Sequence, residues 1–124
     1  MTGRVTRAFG FAMAGWLRAW REQPNLRVEI AIAVAALALT AWLAAPVAPI
    51  VLAIGLVLAS ELANSAVEAT VDLLSPERRD EAAAAKDLAA GAVLMASVTA
   101  LAVGLIVLGP PLLARLAAWF GGAT

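Results

Sequence analysis

The sequence predicts an all-α integral membrane protein: an N-terminal amphipathic surface helix followed by three transmembrane helices. Three observations predict it. Apolar residues make up 63% of the 124 residues and mean hydropathy is +0.89, whereas a soluble domain is about half apolar. Three long apolar stretches are separated by proline or by charge. Eight of the nine basic residues fall on one side of that pattern. The length sets a ceiling of one domain.

The N-terminal segment, 4–20, is helical by periodicity without a continuous apolar run. Val5, Ala8, Phe9, Ala12, Met13, Trp16 and Trp20 recur at steps of three and four, with arginines between them. This pattern predicts a helix lying in the membrane surface, its tryptophans at headgroup level. Interleaved arginines also argue against a cleaved signal peptide, which needs an uninterrupted apolar stretch. Gln23-Pro24-Asn25-Leu26-Arg27 breaks the pattern, and a turn is expected there because proline disfavours helix at the residue before it.

The first span is predicted over about 28–45, apolar except for Glu29 and Thr40 and just long enough to cross at about 1.5 Å per residue. Trp42 sits near its far end, where a belt aromatic belongs. Pro46 and Pro49 mark a short uncharged loop. The second span is predicted over about 50–73 and is apolar until Glu61. The third is predicted over about 82–108, with Lys86 and Asp87 in its first two turns and Gly109-Pro110-Pro111 ending it. Arg4, Arg7, Arg18, Arg21 and Arg27 precede span one, and Arg78, Arg79 and Lys86 lie between spans two and three. The positive-inside rule therefore puts the N-terminus and the second loop in the cytoplasm, with the C-terminus opposite.

Composition excludes several kinds of chemistry. There is no histidine and no cysteine, so there is no disulfide framework, no thiol nucleophile and no Ser-His-Asp arrangement. Formal net charge is zero, without the basic surplus of a nucleic-acid binder.

What remains is acids, amides and a lysine. With Glu61 at zero, helical steps put Asn64, Glu68 and Asp72 at about 300°, 340° and 20°, one stripe about 80° wide. An ionisable group at the centre of a span costs about 2.5–3.5 kcal/mol on insertion scales. Asp72 is explained by the end of the helix, but Glu61, three turns further in, is not. Carboxylates bind magnesium together with substrate phosphates, and a carboxylate can take a proton from a hydroxyl. Lys86 offers a positive point charge to phosphate. This inventory suits phosphoryl transfer, although no Walker loop or kinase Gly-rich loop is present.

Glu61-Leu-Ala-Asn64-Ser65-Ala-Val-Glu68-Ala-Thr-Val-Asp72, followed by Ala85-Lys86-Asp87-Leu-Ala-Ala-Gly-Ala-Val, closely resembles the prokaryotic diacylglycerol kinase family, which includes undecaprenol kinases. The arginine-rich N-terminal helix and the Pro-Asn-Leu-Arg turn also match, and the resemblance covers roughly residues 5–115. It implies a homotrimer in the bacterial plasma membrane, with active sites shared between neighbouring chains at the cytoplasmic interface. ATP and Mg2+ would be used to phosphorylate a membrane lipid, either diacylglycerol or undecaprenol; Asn25-Leu26-Arg27 is slightly more like the undecaprenol branch.

Carried over by position, the resemblance makes Glu61 the base on the lipid hydroxyl. Asn64 would hold phosphates or reacting groups, and Glu68 would ligate magnesium. Lys86 would contact the phosphate chain, Asp87 would support the nucleotide, and Arg7 would border the site. The second metal-binding glutamate of the family falls on Gln23, with Glu22 one residue earlier. Either Glu22 reaches the metal or a glutamine or water replaces the acid. Glu29 matches an acid in some members and can serve simply as an interfacial anchor. In the loop 75–81, where the family places adenine contacts, Arg78 and Arg79 read first as a solvated basic loop that fixes topology.

Two other classes compete. An oligomeric intramembrane proton or ion pathway would use Glu61 as its coupling acid and consume no ATP. A catalytically degenerate membrane scaffold would account for Gln23.

Overall fold

The computed structural model describes residues 2–75, 77 and 79–121, and the expectation for Arg78 falls outside them. Four helices run in order: α1 (Thr2–Glu22), α2 (Pro24–Leu43), α3 (Val47–Leu74) and α4 (Asp80–Gly121). The last three are long and apolar enough to cross a membrane.

The break between α1 and α2 is a single residue. Gln23 is extended at φ −109°, ψ 103°, and its N–H donates to the carbonyl of Ala19 at 2.8 Å. The five-residue turn predicted over 23–27 contracts to this point because Pro24 occupies the first helical position. There its fixed φ suits the helix and its missing N–H costs nothing. Leu26, fully buried, and Ala19 close the junction.

α2 stops two residues short of the predicted boundary. Ala44 adopts a left-handed conformation, φ 53°, ψ 34°. Its N–H meets the carbonyl of Ala41 at 3.1 Å, and that of Ala45 meets Thr40 at 3.0 Å. This is a Schellman closure with alanine in the place usually held by glycine. Pro46 precedes α3, which begins three residues earlier than predicted. Pro49 fits its first turn, where no backbone donor is required.

α3 and α4 form the closest helix pair, α2 packs on both, and α1 touches α2 and α3. The main apolar cluster is Leu43, Ile50 and Leu108, with Leu39, Ile54, Val103 and Leu112 against it. It lies at the α2–α3 turn. Much of the remaining apolar surface faces outward, including Ile32, Leu52, Leu101 and Ile106. That is the surface a membrane protein offers to lipid tails or to other copies of itself.

Gly109-Pro110-Pro111 does not end the third membrane helix, contrary to the sequence expectation; α4 runs through both prolines to Gly121. Proline removes the donors that the carbonyls of Ile106 and Val107 would use. It weakens the helix there without stopping it when the following residues, here mostly leucine and alanine, favour helix.

Candidate active site

The acidic stripe of α3 starts inside the molecule and emerges toward the end of the helix. Glu61 is 4% exposed, Asn64 and Glu68 are half-buried, and Asp72 is exposed. The Asn64 amide Nδ2 donates to Glu68 Oε1 at 3.1 Å across one turn. The other end of the same amide, Oδ1, is buried without a hydrogen-bond partner. Leaving a buried acceptor unmatched costs about 1–3 kcal/mol, so a donor brought to the Asn64 carbonyl would be bound favourably.

Glu29 joins this cluster from α2. Its Oε2 is likewise buried and unpartnered, and it shares a cleft with Val57 and Leu58 of α3, one turn before Glu61. The sequence offers Glu29 only as an anchor, because helix periodicity relates residues within one element and is silent on which faces of α2 and α3 meet.

A groove of about 580 Å³ runs between α1 and α3. Glu22 and Gln23 line it from the α1–α2 junction, and Ser65, Glu68 and Asp72 line it from α3. Glu22 is steered by Arg18, whose Nε donates to its Oε2 at 2.9 Å. Arg18 is exposed, and its titration is raised by this bond. Glu22 and Glu68 therefore face the same space, and Gln23 shares it. Among the described residues no three acids converge at metal-holding distance. Two carboxylates facing one groove nevertheless suit magnesium, which binds through one or two carboxylates plus water and substrate phosphates.

Lys86 reaches α3 rather than open solvent. Its Nζ donates to Asp72 Oδ1 at 2.5 Å, one turn beyond Glu68. Asp87 is exposed on α4. Arg7 is also exposed and donates from Nε to the carbonyl of Gly3 at 2.9 Å. It lies about 22 Å along α1 from Glu22. A single chain therefore gathers Glu22, Glu29, Glu61, Asn64 and Glu68 around α3, with Lys86 tethered nearby. It does not bring Arg7 to the groove.

Known proteins share this sequence pattern. The family model described as prokaryotic diacylglycerol kinase matches residues 10–108. A diacylglycerol kinase of Synechocystis sp. is 41% identical over 110 residues, covering 86% of this chain and 63% of that protein. A diacylglycerol kinase of Escherichia coli is 33% identical over 100 residues, covering 78% of this chain and 82% of the relative. An undecaprenol kinase of Bacillus subtilis is 44% identical over 63 residues, about half of each chain. This chain thus spans a little under two thirds of the Synechocystis protein.

Proposed function

The chain belongs to the prokaryotic diacylglycerol kinase family, and from that premise we propose that it transfers the γ-phosphoryl group of ATP to the hydroxyl of a membrane lipid. The observation that carries this reading is the buried, partly unsatisfied polar face of α3, set beside a groove that both Glu22 and Glu68 line. Relatives named for diacylglycerol and for undecaprenol make these two lipids the acceptors to test.

In this reading Glu61 takes the proton of the lipid hydroxyl, whose oxygen attacks the γ-phosphorus. The new O–P bond forms as the bond to the β,γ-bridging oxygen breaks, and ADP leaves. Burial of Glu61 suits an acceptor that arrives through the bilayer rather than from water. Asn64 presents its unpartnered carbonyl and its amide to the reacting groups. Lys86 exchanges Asp72 for the phosphate chain, Asp87 supports the nucleotide, and Arg7 completes the border of the site. Glu68 and Glu22 would hold Mg2+, which neutralises phosphate charge when bound.

The arrangement is proposed to work as a homotrimer, which accounts for the distance between Arg7 and the groove of its own chain: a neighbour supplies the missing wall. Glu61 lies about 10 Å deeper than Glu68 along the axis, so either the lipid hydroxyl rises to the γ-phosphate or the two acids come from different chains. The N-terminal helix is proposed to lie on the cytoplasmic surface of a bacterial plasma membrane. Its arginines and those near Lys86 share that side.

The test is ATP turnover with magnesium and each lipid in mixed micelles, comparing the natural sequence with Glu61→Gln and Glu68→Gln. Glu61→Gln should lose on the order of 10²–10⁴ in turnover, the usual contribution of a general base, while keeping its helix content. Glu68→Gln should lose turnover mainly at low magnesium. Near-normal turnover of Glu68→Gln at low magnesium would overturn the metal assignment.

A further inference from the structure

α4 is longer than a membrane needs. Residues 88–114 carry no charge and reach about 40 Å as a helix, against about 30 Å of hydrocarbon. Lys86 and Arg115, at the two ends of that stretch, are about 44 Å apart along the axis, which matches a bilayer including its headgroup layers. The apolar cluster Leu43–Ile50–Leu108 marks the level of the α2–α3 turn. Beyond Leu112, which still packs against that cluster, α4 continues for about 14 Å to Gly121. This overhang lies outside the 10–108 match to the family.

The overhang is two-faced. With Leu112 at zero, helical steps put Trp119, Leu116, Phe120 and Leu113 at about 340°, 40°, 80° and 100°, a continuous face about 120° wide. Ala114, Ala117, Ala118 and Gly121 occupy the other side, and Arg115 lies on the flank at about 300°. Leu113, Trp119 and Phe120 are 68%, 74% and 77% exposed. The guanidinium of Arg115 sits 5.0 Å from the centre of the Trp42 ring at the end of α2, in cation–π range, and ties the root of the overhang to the belt level of the bundle.

We propose that residues 112–121 form a surface anchor that lies in the headgroup layer at the membrane face opposite Lys86, with lipid as its occupant. A helix that projected straight into water would expose two leucines, a tryptophan and a phenylalanine together. Turned onto the bilayer, the same face meets acyl boundary, the aromatics take the headgroup position they favour, and Arg115 stays level with lipid phosphate. α4 is continuous here, but Pro110 and Pro111 free two backbone carbonyls just before the segment, the point where a helix bends most readily.

The chain has no cysteine, so single nitroxide labels can be placed without background. Leu113→Cys, Leu116→Cys and Phe120→Cys report the apolar face, and Ala114→Cys and Ala117→Cys the other. The full-length protein is reconstituted in vesicles of phosphatidylethanolamine and phosphatidylglycerol, with helix content checked by circular dichroism. The anchor predicts high collision rates with oxygen and low rates with a water-soluble nickel chelate at 113, 116 and 120. The phase should be reversed at 114 and 117, with a period of about 3.6 residues. Uniform access to the nickel chelate would mean a helix projecting into water. Shielding of 113, 116 and 120 from both reagents would mean that a second chain covers the face. Either result overturns the proposal.

Discussion

Replacing Lys86 by methionine separates two roles that one side chain combines. In the structure Lys86 is paired with Asp72 at 2.5 Å, but the two side chains are 37% and 67% exposed. Exposed ion pairs contribute about 0–1 kcal/mol, so Lys86→Met should lower stability by less than about 1 kcal/mol. A hydrogen bond from a charged donor to the phosphate chain is worth about 1.5–3 kcal/mol, or roughly 10- to 150-fold in kcat/KM. The expected result is a large loss of activity in a protein that unfolds almost where the natural one does. Asp72→Asn is the control, since it removes the same pair but keeps the lysine charge; its loss of kcat/KM should fall well short of that of Lys86→Met. Initial rates with ATP varied at saturating lipid, and thermal unfolding in the same detergent, measure the two quantities. Activity of Lys86→Met within about threefold of the natural sequence, against the roughly tenfold minimum expected, would refute the phosphate contact. An equal loss in Asp72→Asn would assign the effect to the pair itself.

Glu22→Gln should raise the magnesium concentration needed for half-maximal turnover, while Gln23→Ala leaves it in place; the opposite order would move the second metal contact to Gln23. Ala44→Gly should stabilise the protein by about 0.5–1 kcal/mol, because a left-handed alanine costs about 1–2 kcal/mol and the entropy of glycine returns part of that. Thermal unfolding of the two forms in one detergent checks this, and a lower midpoint for Ala44→Gly would count against it.

The membrane helices are legible in the sequence because hydropathy and helix period are properties of neighbouring residues. The stripe from Glu61 to Asp72 follows from the helix period alone, and its burial gradient agrees with that placement. Boundaries are less legible where proline is involved. Pro24, Pro46 and Pro49 each suggest a break by themselves, yet each stands before a helix or in its first turn, where its missing donor is harmless. Pro110 and Pro111 lie inside α4, a more costly placement that only the continuation of the chain reveals. The position of Glu29 beside Glu61 is out of reach of the sequence because it depends on how α2 rotates against α3. So is the shared outlook of Glu22 and Glu68, which requires α1 to fold back along α3. Arg7 bonds to its own helix and stands away from the groove of its own chain.

The Leu43–Ile50–Leu108 cluster fastens the bundle at the opposite end from its carboxylates. The carboxylate end is held differently: Leu26 is fully buried at the α1–α2 junction, and the exposed Lys86–Asp72 pair bridges α4 to α3. One tip is thus fastened by methyl groups and the other partly by charge. High salt, which screens an exposed ion pair and strengthens apolar contact, should therefore relax the polar tip before the apolar one.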